Sequence, residues 1–137
     1  MANSTSVQTL VDGPRNVVIK IDGVLDTSNL AYTVIVNPAT LSDYNINGVK
    51  ATQLRINKVN FDVEDLLDVE LFWDAPTPVR VWDFIGRGKV EARHYGGISN
   101  NATNPTGSIA IQTNGWTSGS VLSYTLVLEL VKQGPGV

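Results

Sequence analysis

The sequence predicts an all-β protein built as an antiparallel sandwich of two sheets, and three observations carry that reading. Cut at its Gly, Pro and Asn-rich joints, the chain falls into short segments in which apolar and polar residues alternate. That is the period of a strand with one buried face. Turn signals recur at roughly ten-residue intervals, as they do in sandwiches and barrels. No segment keeps a helical period beyond about two turns.

Taken in order, Val17, Ile19 and Ile21 alternate with Val18, Lys20 and Asp22 between Asp12-Gly13-Pro14 and Asp22-Gly23. Both flanks read as tight turns, because Gly adopts positive φ freely. Ala31–Val36 is the second strand, with Tyr32, Val34 and Val36 on one face. It stops at Asn37-Pro38, where Pro has no N–H to give a ladder. Pro38 to Gly48 reads as a loop holding one helical turn. Leu54 and Ile56 open a third strand, but Val59, Phe61 and Val63 follow on odd numbers, so the buried parity changes near Lys58. A parity change inside a strand predicts a bulge or a corner. Val69, Leu71 and Trp73 form another period-two run, ended by Asp74-Ala75-Pro76-Thr77-Pro78, and Val79–Phe84 answers it as a hairpin partner. Lys89–Tyr95 and Ser108–Thr113 add two more strands. The last, Tyr124–Lys132, is largely apolar on both faces, which predicts a place in the middle of a sheet or beside a partner chain. About eight short strands favour a jelly roll, with an Ig-like Greek key as the alternative. The expected core is Val17, Ile19, Ile21, Val34, Ile56, Phe61, Leu71, Trp73, Ile109, Ile111, Leu126 and Leu128.

The chain has 137 residues, which fits one domain able to bury roughly 68% of its unfolded surface. Residues 1–11 are polar and read as a flexible N-terminal arm, ordered only against a neighbour. Residues 12–133 form the sandwich, and 134–137 a fraying C-terminal tail. Cysteine is absent, so stability rests on apolar packing and sheet hydrogen bonds. With 13 acidic against 10 basic residues and a net charge of −3, the chain has no basic footprint for nucleic acid. The N-terminus lacks the basic start and apolar run of a secretory signal, and no segment is apolar enough for a membrane helix. Neither nucleic acid nor membrane is an expected partner. From Tyr95 to Leu128 there is no Asp, Glu, Lys or Arg. With the two apolar faces of Tyr124–Lys132, that tract predicts self-association, a homodimer first and a trimer next, because identical subunits would meet there without stranding charges.

The machinery of catalysis is not apparent. His94 is the single histidine, and no Gly-x-Ser-x-Gly elbow accompanies it. Gly86-Arg87-Gly88 lacks the third glycine of a dinucleotide fingerprint, since Glu91 stands there. Asp62, Glu64, Asp65, Asp68, Glu70 and Asp74 supply oxygen ligands in principle, but counted from Asp62 the EF-hand glycine position holds Leu67 and the twelfth holds Trp73. A solvated face, paired across strands with Arg80, Arg87, Lys89 and Arg93, is the simpler account. Trp73, Trp82, Tyr95 and Trp116 are the candidate sugar-stacking residues of a carbohydrate-binding module; of these Trp116, in a Gly-containing turn, reads as the exposed one. No catalytic, cofactor-binding or metal-ligating residue is assigned, no cofactor is expected, and the protein is not expected to be an enzyme.

Four stretches carry a resemblance: Leu71-Phe72-Trp73-Asp74-Ala75-Pro76-Thr77, Tyr95-Gly96-Gly97-Ile98-Ser99-Asn100-Asn101-Ala102, Thr106 to Thr113, and Ser118-Gly119 leading to Tyr124–Lys132. In order from about Thr52 to Lys132, and more loosely back to Val17, the chain resembles small virion structural proteins of tailed bacteriophages. Among these are the jelly-roll cement, or decoration, proteins of short-tailed phages. The resemblance implies a protein made in the host cytoplasm and placed on the capsid exterior, with the major capsid protein as partner. A tail or adaptor component is the alternative within the virion, and a carbohydrate-binding module the alternative outside it. The shared words are turns and core strands, so they bring no functional residues. The implied mechanism is physical: a protein that binds the mature lattice better than its precursor shifts the shell toward the mature state.

Overall fold

The computed structural model describes residues 3–44 and 48–133, with the side chain of residue 95 left out. It is an antiparallel sandwich of two sheets. The strands are β1 (Ser4–Asp12), β2 (Asn16–Leu25), β3 (Thr33–Val36), β4 (Gln53–Val63), β5 (Asp68–Trp73), β6 (Val79–Phe84), β7 (Arg87–Glu91), β8 (Ile109–Asn114) and β9 (Leu122–Gln133). Short 3-10 turns cover Pro38–Thr40 and Arg93–Tyr95. The first lies where the sequence predicts a helical turn: Pro38 opens it and the Asn37 side chain accepts from the Ala39 N–H at 3.0 Å. The Lys89–Tyr95 strand is shorter than expected, giving way to the second 3-10 turn.

One sheet runs β1-β2-β9-β4-β7 and the other β3-β8-β5-β6. The β1–β2 and β5–β6 hairpins stay within a sheet, whereas each of the other connections crosses between sheets. Pairing is nested: β5 with β6, β4 with β7, β3 with β8 and β2 with β9. The Tyr124–Lys132 strand, as β9, lies between β2 and β4, as its two-sided apolarity suggests.

The core is the layer between the sheets. Val17, Ile19 and Ile21 of β2 and Tyr124, Leu126, Leu128 and Leu130 of β9 are buried from one sheet, and Val69, Leu71, Trp73, Ile109 and Ile111 from the other. Full burial of such a side chain contributes about 1.5–3 kcal/mol. The parity change near Lys58 is a β-bulge. Pairing of β4 with β9 skips between Ile56 and Lys58, so Leu54 and Ile56 face the core before it, and Val59 and Val63 after it. Phe61 is half-buried; its ring meets Phe84 of the other sheet at 4.9 Å.

Three expectations are corrected. Val34 is 46% exposed: β3 is a four-residue edge whose register breaks between Val34 and Val36, and Ile35 packs on the core instead. Tyr32, read with Val34 and Val36, also stays outside, its ring edge-on to Phe72 at 5.5 Å and its hydroxyl donating to Asp74 Oδ1 at 2.6 Å. Asp22-Gly23 is no turn, since β2 continues to Leu25. Gly23 pairs with Tyr124, and any Cβ at this position would overlap the Tyr124 ring, so its lack of a side chain serves a close approach within the strand.

The N-terminal arm is corrected as well. Ser4–Asp12 forms β1, hydrogen-bonded to β2 and exposed at every position. Its two ends are staked by side chains. At one end Asn3 Oδ1 accepts from the N–H groups of Asp26 and Thr27 at 2.7 and 2.9 Å, while its amide donates to the Ser28 carbonyl at 3.0 Å. At the other, Asp12 receives Lys132 Nζ at 2.8 Å and the Ser42 N–H at 2.8 Å. The 134–137 tail lies outside the described residues.

Candidate interaction surface

Lys132 anchors the end of β1. Its side chain is fully buried, and besides Asp12 it donates to the Ser42 carbonyl at 2.7 Å and Ser42 Oγ at 3.0 Å. Burial pushes the Asp12 carboxyl upward, but the hydrogen bonds from Lys132 and Ser42 outweigh it and hold the group below its ordinary value of 3.8. A carboxyl depressed by folding contributes stability above its unfolded value, and that contribution is lost as pH falls through the folded one. Asp12→Asn is therefore expected to show a shallower fall of melting temperature below pH ~4 than the wild type. Parallel acid titrations of the two would contradict the anchor.

The acidic run is divided between both sheets. Asp62, on β4, receives Arg87 Nε at 3.0 Å, an exposed pair worth about 0.2–1 kcal/mol. Glu64 accepts from Ser123 Oγ at 3.3 Å. Glu64 and Asp65 line, with Val63, Gly86 and Arg87, a cleft of about 670 Å³. On the other sheet Glu70 is 8% exposed and accepts from Arg80 at 3.2 Å, Gln112 at 3.3 Å and Asn114, which cross-links β6, β5 and β8. Asp74 receives Tyr32 and Thr106 Oγ1; burial and then this carboxylate raise the Tyr32 phenol pKa. Among the described residues no three His, Cys, Asp or Glu side chains converge on a metal-sized site. Millimolar calcium is expected to leave the melting temperature unchanged, and a rise of several degrees would overturn this division of the acids.

The aromatic candidates separate too. Trp73 is core at 1% exposure. Trp116 is half-buried against the core rather than exposed, its indole N–H donating to the Ser120 carbonyl at 2.9 Å and so closing its own turn. Trp82 is exposed beside the irregularity in β6, and the Tyr95 side chain lies outside the described residues. His94 is exposed in the second 3-10 turn.

The outer face of β9 is not a bare apolar surface. Val127 stands between Lys20 and Asn60, Thr125 between Asp22 and Asp62, and Glu129 between Val18 and Lys58, with Arg93 donating to Glu129 at 3.1 Å. The surface that stands apart is the free edge of β1. It carries Val7, Leu10 and Val11 at 45%, 47% and 48% exposure, and no charge before Asp12. Sequence reasoning missed it because β1 buries no face and so leaves no apolar alternation; the signal lay in Asn3 and Asp12, polar residues at the two ends of an uncharged β-branched run. Neither a protein-family model nor a curated protein sequence matches the chain.

Proposed function

We propose that this protein is a viral structural protein that binds the outside of a phage capsid and stabilises the mature shell, a cement or decoration protein without catalytic activity. The observation that carries the reading is the strand order. With β1 set aside, the sheets run β2-β9-β4-β7 and β3-β8-β5-β6, and the nested pairs are those of one long hairpin rolled into a sandwich. This supports a jelly roll, the topology that the resemblance to phage cement proteins implies. Three of the four resembling stretches reach the frame, Leu71–Trp73 in β5, Ile109–Thr113 in β8 and Tyr124–Lys132 in β9, while residues 96–102 lie in the loop between β7 and β8.

A rigid sandwich seated at a junction of shell subunits adds interface without chemistry. A total buried area of about 1,200–2,000 Å² would give specific attachment, and a self-associated unit would gain further by multivalency. The test is co-sedimentation of the purified protein with precursor and mature shells that lack it. Saturable binding that favours the mature shell is expected. Binding to isolated tails instead would move the protein to the tail or adaptor role, and retention on a glycan array with no shell binding would favour the carbohydrate-binding module.

A further inference from the structure

We propose that the free edge of β1 is the self-association surface, two copies joining their five-stranded sheets by antiparallel β1–β1 pairing about a two-fold axis normal to the sheet. The inference rests on the self-association within the reading above, names its surface, and is independent of the shell.

A sheet edge presents unpaired N–H and C=O groups, and proteins blunt such edges with charge, bulges or short strands. Among the described residues the sandwich has four edges, and three are blunted. The β7 edge carries Arg87, Lys89 and Glu91; β6 carries Arg80 and Asp83 and a register break; β3 is four residues long with a break of its own. The β1 edge has nine residues, no proline and no charge before Asp12. Its single irregularity, at Leu10, leaves Ser4–Thr9 in unbroken register. Asn3 and Asp12 hold the strand extended at both ends, so little ordering cost remains for a partner strand.

A second copy fits this edge better than a charged foreign strand does. Despite the net charge of −3, two β1 strands meet without opposing a single charge. Thr5, Val7 and Thr9 pair with Gly23, Ile21 and Ile19, on the core side of the sheet, yet stay exposed because the facing sheet has one strand fewer. A register centred on Val7 sets Val7 opposite the partner's Val7 and Thr5 opposite the partner's Thr9. These are apolar and β-branched cross-strand pairs on one face. A strand pair alone buries less than a standard interface of about 1,200 Å², so the dimer is weak and concentration-dependent in solution.

The chain has no cysteine, so one introduced thiol reports the contact cleanly. Directly opposed antiparallel residues have Cα atoms about 4.5–5.5 Å apart, within the roughly 4.4–6.8 Å span of a disulfide. The full chain carrying Val7→Cys, mildly oxidised at concentrations where the wild type sediments as a dimer, is expected to cross-link nearly completely, while Lys89→Cys on the β7 edge associates like the wild type but forms no disulfide-linked dimer. Val7→Lys, at an exposed position, is expected to keep the circular dichroism of the wild type, to match its melting temperature at dilutions where both are monomeric, and to sediment as a monomer where the wild type is a dimer. A wild-type dimer that Val7→Lys leaves intact and Val7→Cys fails to cross-link would overturn the β1 surface while sparing self-association. A wild type monomeric up to about 1 mM, well above the usual range of weak complexes, would overturn both. Shell binding is scored separately, so its failure bears only on the proposed function.

Discussion

Leu126→Ala is expected to destabilise the protein by about 2–5 kcal/mol, through lost transfer free energy and the cavity left behind. Leu126 is fully buried near the middle of β9, with Ile21 of β2 on one side and Phe61 of β4 on the other. Neighbours held in ladders on both sides cannot collapse into the space, which places the cost toward the upper half of that range. For a domain of this size the loss corresponds to a fall in melting temperature of about 12–17 °C. A loss below about 0.5 kcal/mol, the usual effect of a surface substitution, would place Leu126 outside the core.

Gly107→Ala is expected to cost about 3–5 kcal/mol by two separable routes. Its φ is +90°, a region an L side chain rarely enters, and an added Cβ would overlap the Thr52 carbonyl oxygen, a backbone atom that cannot rotate away. Gly119 isolates the first route, because it has φ +87° with nothing within 4 Å of an added Cβ. Gly119→Ala is expected to lose only about 1–2 kcal/mol. Equal losses at the two positions, measured by urea unfolding, would remove the steric argument.

Where a residue buries an apolar side chain against the facing sheet, its place was legible in the sequence. Val59 and Val63 change parity with respect to Leu54 and Ile56, and that alone located the bulge in β4. Apolarity on both faces placed β9 at the centre of its sheet. The failures share a cause: they depend on groups distant in sequence. Gly23 carries the same local signal as a turn glycine, and only the Tyr124 ring packed over it gives the true reason for the residue. Val34 alternates like a core residue, yet β3 is an edge with a broken register. Asp62 and Glu70 sit eight positions apart in the chain but on different sheets. The candidate surface was the least legible part. β1 has no buried residue, so hydrogen bonds do most to hold it, and Lys132 reaches Asp12 from the opposite end of the chain.

The most direct measurement of the central claim is the heat stability of shells as a function of bound copies. Mature shells lacking the protein are loaded to increasing occupancy, the bound copies are counted, and the temperature of shell disruption is recorded. Binding that favours the assembled lattice stabilises it by mass action. The disruption temperature is therefore expected to rise with occupancy and to level off when the sites are full. Shells that bind the protein to saturation and still disrupt at the temperature of bare shells would contradict the stabilising role.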